Sequence, residues 1–107
     1  DVGFYSIEYS WQKGTHPKQG SFNPDFFIKK GSDIIVVEIK IDKDVSDENR
    51  AKLRYAKEHF ERVNELQQEQ RYYFKFLSPV SFDHFFKALR NGAYKDFKSE
   101  LEAKLEA

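Results

Sequence analysis

Cysteine and methionine are both absent from this 107-residue sequence, and tryptophan occurs once. Without cysteine there is no disulfide framework, no thiolate zinc site and no cysteine nucleophile. No apolar run reaches the length of a transmembrane helix and no signal peptide opens the chain, so no membrane partner is expected. The pattern G-x-x-x-x-G-K-[ST] does not occur, which places any ATP-driven motor outside this stretch. G-x-S-x-G is also missing, and none of the three histidines sits in a triad context, so a serine or cysteine hydrolase finds no support. Net charge is lacking too: 18 basic and 18 acidic residues cancel. That argues against a free-standing, high-affinity nucleic-acid binder, which carries a basic face or stripe. It leaves room for a catalytic domain whose neighbours hold the polymer. A chain that opens on Asp1 and holds no methionine reads as a piece of a longer cytoplasmic protein.

What the sequence has in quantity is aromatic and aliphatic bulk: 39% hydrophobic residues, with 11 Phe and 6 Tyr. That suffices for one domain, residues 1–107, with a single modest core. Its most informative stretch is Phe22 to Ile41, FNPDFFIKKGSDIIVVEIKI. Two apolar runs flank Lys30-Gly31-Ser32-Asp33, a hairpin signal. A loop at Gly31-Ser32 sets Asp25 opposite Glu38; a loop at Lys30-Gly31 sets it opposite Val36. Either register leaves Asp25, Glu38 and Lys40 on one face, because side chains alternate along a strand, and gives Ile35, Val37, Ile39 and Ile41 the other. Charges at the end of an Ile-Ile-Val-Val run are costly to bury unless they pair or bind a metal. Two facing carboxylates repel, and a divalent cation between them removes that repulsion. A neighbouring lysine can then hold a water ready for attack, which is the layout for metal-assisted phosphodiester hydrolysis. The alternative is an ordinary Glu38–Lys40 salt bridge on a half-exposed strand.

Pro24-Asp25, a hydrophobic strand, then Glu38-Ile39-Lys40 closely resembles the motif of the PD-(D/E)xK nuclease superfamily. The wording SFNPDFF followed by IIVVEIK is similar to the C-terminal nuclease domain of type III-like restriction subunits and helicase-nucleases. The resemblance spans roughly Phe4 to the helix after Ser81. It implies Mg²⁺, with Mn²⁺ as a substitute, held by Asp25, Glu38 and the backbone carbonyl of Ile39, while Lys40 orients the attacking water. It further implies duplex DNA as substrate, a 5′-phosphate product, and an ATP-dependent motor elsewhere in the parent chain. Members usually begin with a helix carrying one more acidic residue; none precedes Phe4, so an incomplete metal site is one outcome left open. The RecB-like branch carries Gln-x-x-x-Tyr on the helix after the Glu-x-Lys strand. Here Tyr55 matches the tyrosine, and the glutamine position is Ala51. A rival reading keeps the nuclease fold as an inactive docking module for DNA or protein.

The remaining elements follow in order. Phe4 to Trp11 has strand composition, with Tyr5, Ile7, Tyr9 and Trp11 on the apolar face and Glu8 on the other, either solvent-facing or a further acid near the metal. Gln12 to Ser21 reads as a loop in which Lys13, His16 and Lys18 either contact phosphate or form a basic connection. Asp42 to Ser46 is an acidic turn. Ser46 caps a long helix, with Asp47 and Glu48 in its first turn and Leu53, Ala56, Phe60, Val63 and Leu66 along one stripe. Lys52 either reaches the site, joining Tyr55 as a DNA contact, or pairs with Glu48 at the surface. Arg71 to Ser78 is a strand of apolar density suited to a central position, parallel to the Glu38 strand across the long helix. Ser81 opens a short helix through Phe82, Phe85, Phe86 and Leu89, closed by Asn91-Gly92. Ala93 to Ala107 reads as a last helix. The expected fold is thus α/β, a mixed central sheet with flanking helices in the order β-β-β-α-β-α-α, restriction-endonuclease-like.

Overall fold

A computed structural model of the chain describes residues 6–41 and 43–107. Phe4 and Tyr5, assigned above to the first strand, and Asp42 of the acidic turn lie outside the described residues. Two hairpins come first. Strands β1 (Ile7–Lys13) and β2 (His16–Phe22) pair antiparallel across Gly14-Thr15, and β3 (Phe26–Lys30) and β4 (Asp33–Ile39) across Gly31-Ser32. In each loop the first residue is a glycine at φ 63°, a left-handed conformation that tight hairpin loops demand and other residues avoid. Helix α1 (Asp47–Leu66) then crosses to β5 (Arg71–Leu77), which lies parallel to β4. A 3₁₀ turn at Pro79–Ser81 leads into α2 (Phe82–Asn91), and a second at Ala93–Lys95 precedes α3 (Glu100–Glu106). The described chain is therefore mixed α/β, with β1-β2 as one sheet and β3-β4-β5 as another.

Four expectations need correcting. Of Gln12 to Ser21, read as loop, residues 12–13 end β1 and 16–21 join Phe22 in β2, so four strands rather than three precede α1 and they divide between two sheets. HPKQGSF lacks the β-branched pattern of a strand, and its pairing comes from β1, which supplies an ordered edge. Strand β5 borders its sheet, while β4 is central. Its apolar density reflects helices on both sides rather than a second neighbouring strand. The last helix is shorter than residues 93–107: Gly92, at φ 84°, ends α2 as expected, Ala93–Lys95 is a 3₁₀ turn, and α3 starts only at Glu100, with the Ser99 side chain accepting from the Glu102 amide at 3.0 Å. Finally Ile41 and Phe86, assigned to buried faces, are 66% and 40% exposed. Strand β4 ends at Ile39, before Ile41 can join its apolar row.

Alternation along β4 distributes the core. Ile34 and Val36 face α1 and pack with Ala51, Leu53, Ala56 and Phe60, joined by Ile7, Tyr9 and Phe22 of the first hairpin and by Phe74 and Phe76 of β5. Ile35 and Val37 face the other way, onto Leu77, Phe85 and Tyr94. Each large side chain buried in this way contributes about 1.5–3 kcal/mol. Ser46 caps α1 as expected, accepting from the Asn49 amide at 3.1 Å; of the predicted stripe Leu53, Ala56 and Phe60 are buried and Val63 is half-buried, whereas Leu66, in the last turn, is 79% exposed. The open edge of β5 is closed by side chains. Asn64 bonds both the amide (2.8 Å) and the carbonyl (2.9 Å) of Tyr72. At Phe76, Glu102 accepts from the amide at 3.2 Å and Ser99 donates to the carbonyl at 2.5 Å. These bonds occupy edge groups that would otherwise be open to another chain.

Candidate active site

The face of β4 that carries Ile34 and Val36 continues to Glu38 and Lys40 at its carboxyl end, where the apolar packing gives way to charge. The observed loop is Gly31-Ser32, since Lys30 pairs with Asp33 and Phe26 with Val37. This register, carried one step further, sets Asp25 opposite Glu38. Asp25 is exposed, and its Oδ2 accepts from the Ile39 amide at 2.7 Å, which fixes the carboxylate across the end of the hairpin. Glu38 is only 5% exposed. Its Oε2 lies 4.0 Å from the Lys40 Nζ, while its Oε1 is buried without a hydrogen-bond partner. Burial, then the charge of Asp25 and a hydrogen-bond contact with it, push the Glu38 carboxyl up to about 7, against the opposing pull of Lys40 and Lys52. Lys40 is held in place by its backbone, whose amide donates to the Leu77 carbonyl at 2.9 Å.

Lys52 completes the constellation from α1. It is buried rather than paired with Glu48 at the surface. Its ammonium lies 5.5 Å from the Tyr9 ring centre and 5.4 Å from that of Phe22, in the range where an aromatic face attracts a cation. Burial, and next the nearby charge of Lys40, pull its pKa below the usual lysine range. Glu48 instead accepts from the Tyr9 hydroxyl at 2.5 Å. Burial and that bond raise the Tyr9 phenol well above its ordinary value. Room for the Tyr9 ring comes from Gly20, its cross-strand partner, where a Cβ would stand 2.8 Å from the hydroxyl oxygen.

The predicted site residues thus separate into three groups. Asp25, Glu38, Ile39, Lys40 and Lys52 converge on the carboxyl end of β4. Tyr55 sits further along α1 and shares a 2.9 Å hydrogen bond with Ser10, beside an open groove of about 550 Å³ that also takes in Glu8, Gln19 and Ser21. Lys13, His16 and Lys18 are exposed on the first hairpin, within strands β1 and β2 rather than in a loop. Tyr9 and Glu48 are additions that sequence reasoning did not place at the site. The spacing of Glu48 and Lys52 was the available signal, but it points equally well to a pair within the helix.

The donor set suits a hard divalent cation, which prefers carboxylate and carbonyl oxygens and retains several waters. Asp25 has one oxygen committed to Ile39, and Glu38 has one with no partner. Among the described residues no group of three or more His, Cys, Asp or Glu is placed to hold a metal ion. Comparison of the chain with protein-family models, curated proteins and solved structures returns no match. Among the described residues no helix is long and apolar enough to cross a membrane.

Proposed function

We propose that this domain is a metal-dependent phosphodiester hydrolase acting on DNA, built on a restriction-endonuclease-like plan. The reading is carried by one observation: Asp25 and Glu38 meet at the end of a hairpin, with a buried, unpartnered Glu38 oxygen and Lys40 alongside. Asp25, Glu38 and the Ile39 carbonyl would hold Mg²⁺ or Mn²⁺. Bound there, the ion would polarise the phosphoryl group and offset charge on the leaving oxygen. The Ile39 amide holds Asp25 in position. Lys40, partly exposed and 4.0 Å from Glu38, orients the attacking water and faces the charge that develops on the phosphoryl group. Lys52, desolvated on the α1 side, balances the acid pair from within. The test is a cleavage assay on supercoiled plasmid and on single-stranded DNA with Mg²⁺, Mn²⁺ or EDTA. Cleavage that requires the metal and disappears in Asp25→Asn supports the proposal; metal-independent cleavage, or none of either substrate by the intact protein, refutes it.

A second reading also draws on this site. An acid pair in which Glu38 holds its proton to about 7 is stable without any metal. The domain is then a nuclease-like scaffold that docks DNA or protein within a larger chain. It predicts full stability in EDTA and no metal-dependent change in melting temperature.

A further inference from the structure

The first hairpin carries a feature that the acid pair does not use. Residues opposite one another in an antiparallel pair share a face, so Ile7 and Phe22, Tyr9 and Gly20, Trp11 and Lys18, and Lys13 and His16 form successive rungs of one face. Its inner rungs are buried under α1, where Lys52 lies over Tyr9 and Phe22. Trp11 stacks on Tyr9 with ring centres 5.3 Å apart and an interplanar angle of 25°. One side of the indole is thus covered, and the residue remains partly exposed. The outer rungs carry two lysines and a histidine: Lys13, His16 and Lys18 are all exposed. From Tyr9 to Pro24 there is no acidic residue, in a chain where 18 of 107 residues are acidic. Strand β2 then leads through Asn23 and Pro24 directly to Asp25.

We infer that the outer part of this face is a platform for a single strand of nucleic acid, with Trp11 stacking an unpaired base and Lys13, His16 and Lys18 contacting its phosphates. The inference rests on the phosphodiesterase reading for its direction, but its geometry belongs to the hairpin alone. An aromatic face beside cations is the usual composition of single-strand sites, because every base has a face to stack and every nucleotide a phosphate to pair. A duplex keeps its bases stacked on one another and can offer the cations only its backbone. The ligand therefore commits to an unpaired strand, against the duplex that the motif resemblance implies.

Trp11 is the single tryptophan of the chain, so its fluorescence reports on this face alone. The experiment titrates the intact chain, in EDTA and low salt, with oligo(dT), with a blunt DNA duplex, and with inorganic polyphosphate as a base-free polyanion. Oligo(dT) should quench Trp11 strongly, the other two weakly, and added complementary strand should reverse the quench. Lys13→Glu with Lys18→Glu, both at exposed positions, should weaken oligo(dT) binding at least tenfold and flatten its salt dependence. Trp11→Ala, followed with a labelled oligo(dT), should lose roughly five- to a hundredfold in affinity. Equal quenching by duplex and single strand, no quenching at all, or unchanged affinity in the double lysine variant would overturn the inference. Asp25→Asn separates the two readings. If it binds oligo(dT) normally but cleaves nothing, both stand. Quenching without metal-dependent cleavage by any form leaves the platform and removes the phosphodiesterase. Cleavage with a silent Trp11 does the reverse.

Discussion

Replacing Glu38 with glutamine should stabilise the metal-free protein strongly at pH 8 and by less than about 1 kcal/mol at pH 5. The side chain is 5% exposed and faces Asp25, so its ionised form lacks both water and a neutral neighbour. Its carboxyl titrates near 7 in the folded state against an ordinary 4.5. Below pH 4.5 it is protonated in folded and unfolded chains alike, and its contribution to stability is fully present. As pH rises toward 7 the unfolded chain releases the proton first, so stability falls, and above 7 the loss is complete. The interval corresponds to about 3 kcal/mol at about 1.4 kcal/mol per pH unit. Glutamine is isosteric, never ionises and can donate to Asp25, so it escapes the loss. In EDTA, urea melts at pH 8 should show Glu38→Gln more stable by up to about 3 kcal/mol, on the order of 10–20 °C in Tm for a domain of this size. Millimolar Mn²⁺ should stabilise the wild type at pH 8, since a ligand that prefers the folded state shifts the equilibrium, and should not stabilise Glu38→Gln. A variant equally destabilised at pH 5 and pH 8 would refute the reasoning, because it would show that Glu38 is ionised and well paired throughout.

Three further outcomes follow from the packing. Gly20→Ala places a Cβ 2.9 Å from the Tyr9 ring carbon Cζ, so the ring must move and its bond to Glu48 must lengthen; the expected loss is about 1–3 kcal/mol by urea denaturation, partly relieved by Tyr9→Phe in the same chain. Glu102→Ala removes the acceptor of the Phe76 amide and the partner of Lys57 at 3.0 Å, which should cost about 2–3 kcal/mol and expose the Phe76 amide to rapid hydrogen exchange. Ser46→Ala removes the cap of α1 and should cost about 1 kcal/mol, read as a lower urea midpoint with an unchanged slope.

Much of this arrangement is legible in the residues, because it follows from local rules. Gly31-Ser32 with flanking apolar runs defines a hairpin, alternation then puts Asp25, Glu38 and Lys40 on one face, and Ser46 with Asp47 and Glu48 marks the start of α1. What is not legible depends on distant partners. HPKQGSF becomes a strand only because β1 lies beside it, and Gly20, a poor strand residue alone, is needed to admit the Tyr9 ring. Helical spacing places Glu48 and Lys52 as neighbours, but it cannot reveal that Tyr9 draws Glu48 away and that Lys52 lies buried over aromatic rings. The restart at Ser99 did leave a signal, Ser-x-x-Glu at Ser99 and Glu102. There the serine caps α3, while the glutamate serves the edge of β5 instead of the helix.

On the proposed mechanism Lys40 acts on the reaction and not merely on Glu38. Mg²⁺-dependent cleavage of plasmid and single-stranded DNA by the intact protein carrying Lys40→Ala, measured beside its urea stability, tests this. A partly exposed pair at 4.0 Å is worth roughly 0–1 kcal/mol, so the fold should barely change. Loss of a well-placed electrostatic group should lower the cleavage rate on the order of a hundredfold or more. Cleavage that continues undiminished in Lys40→Ala would place the chemistry elsewhere and leave this domain as a scaffold.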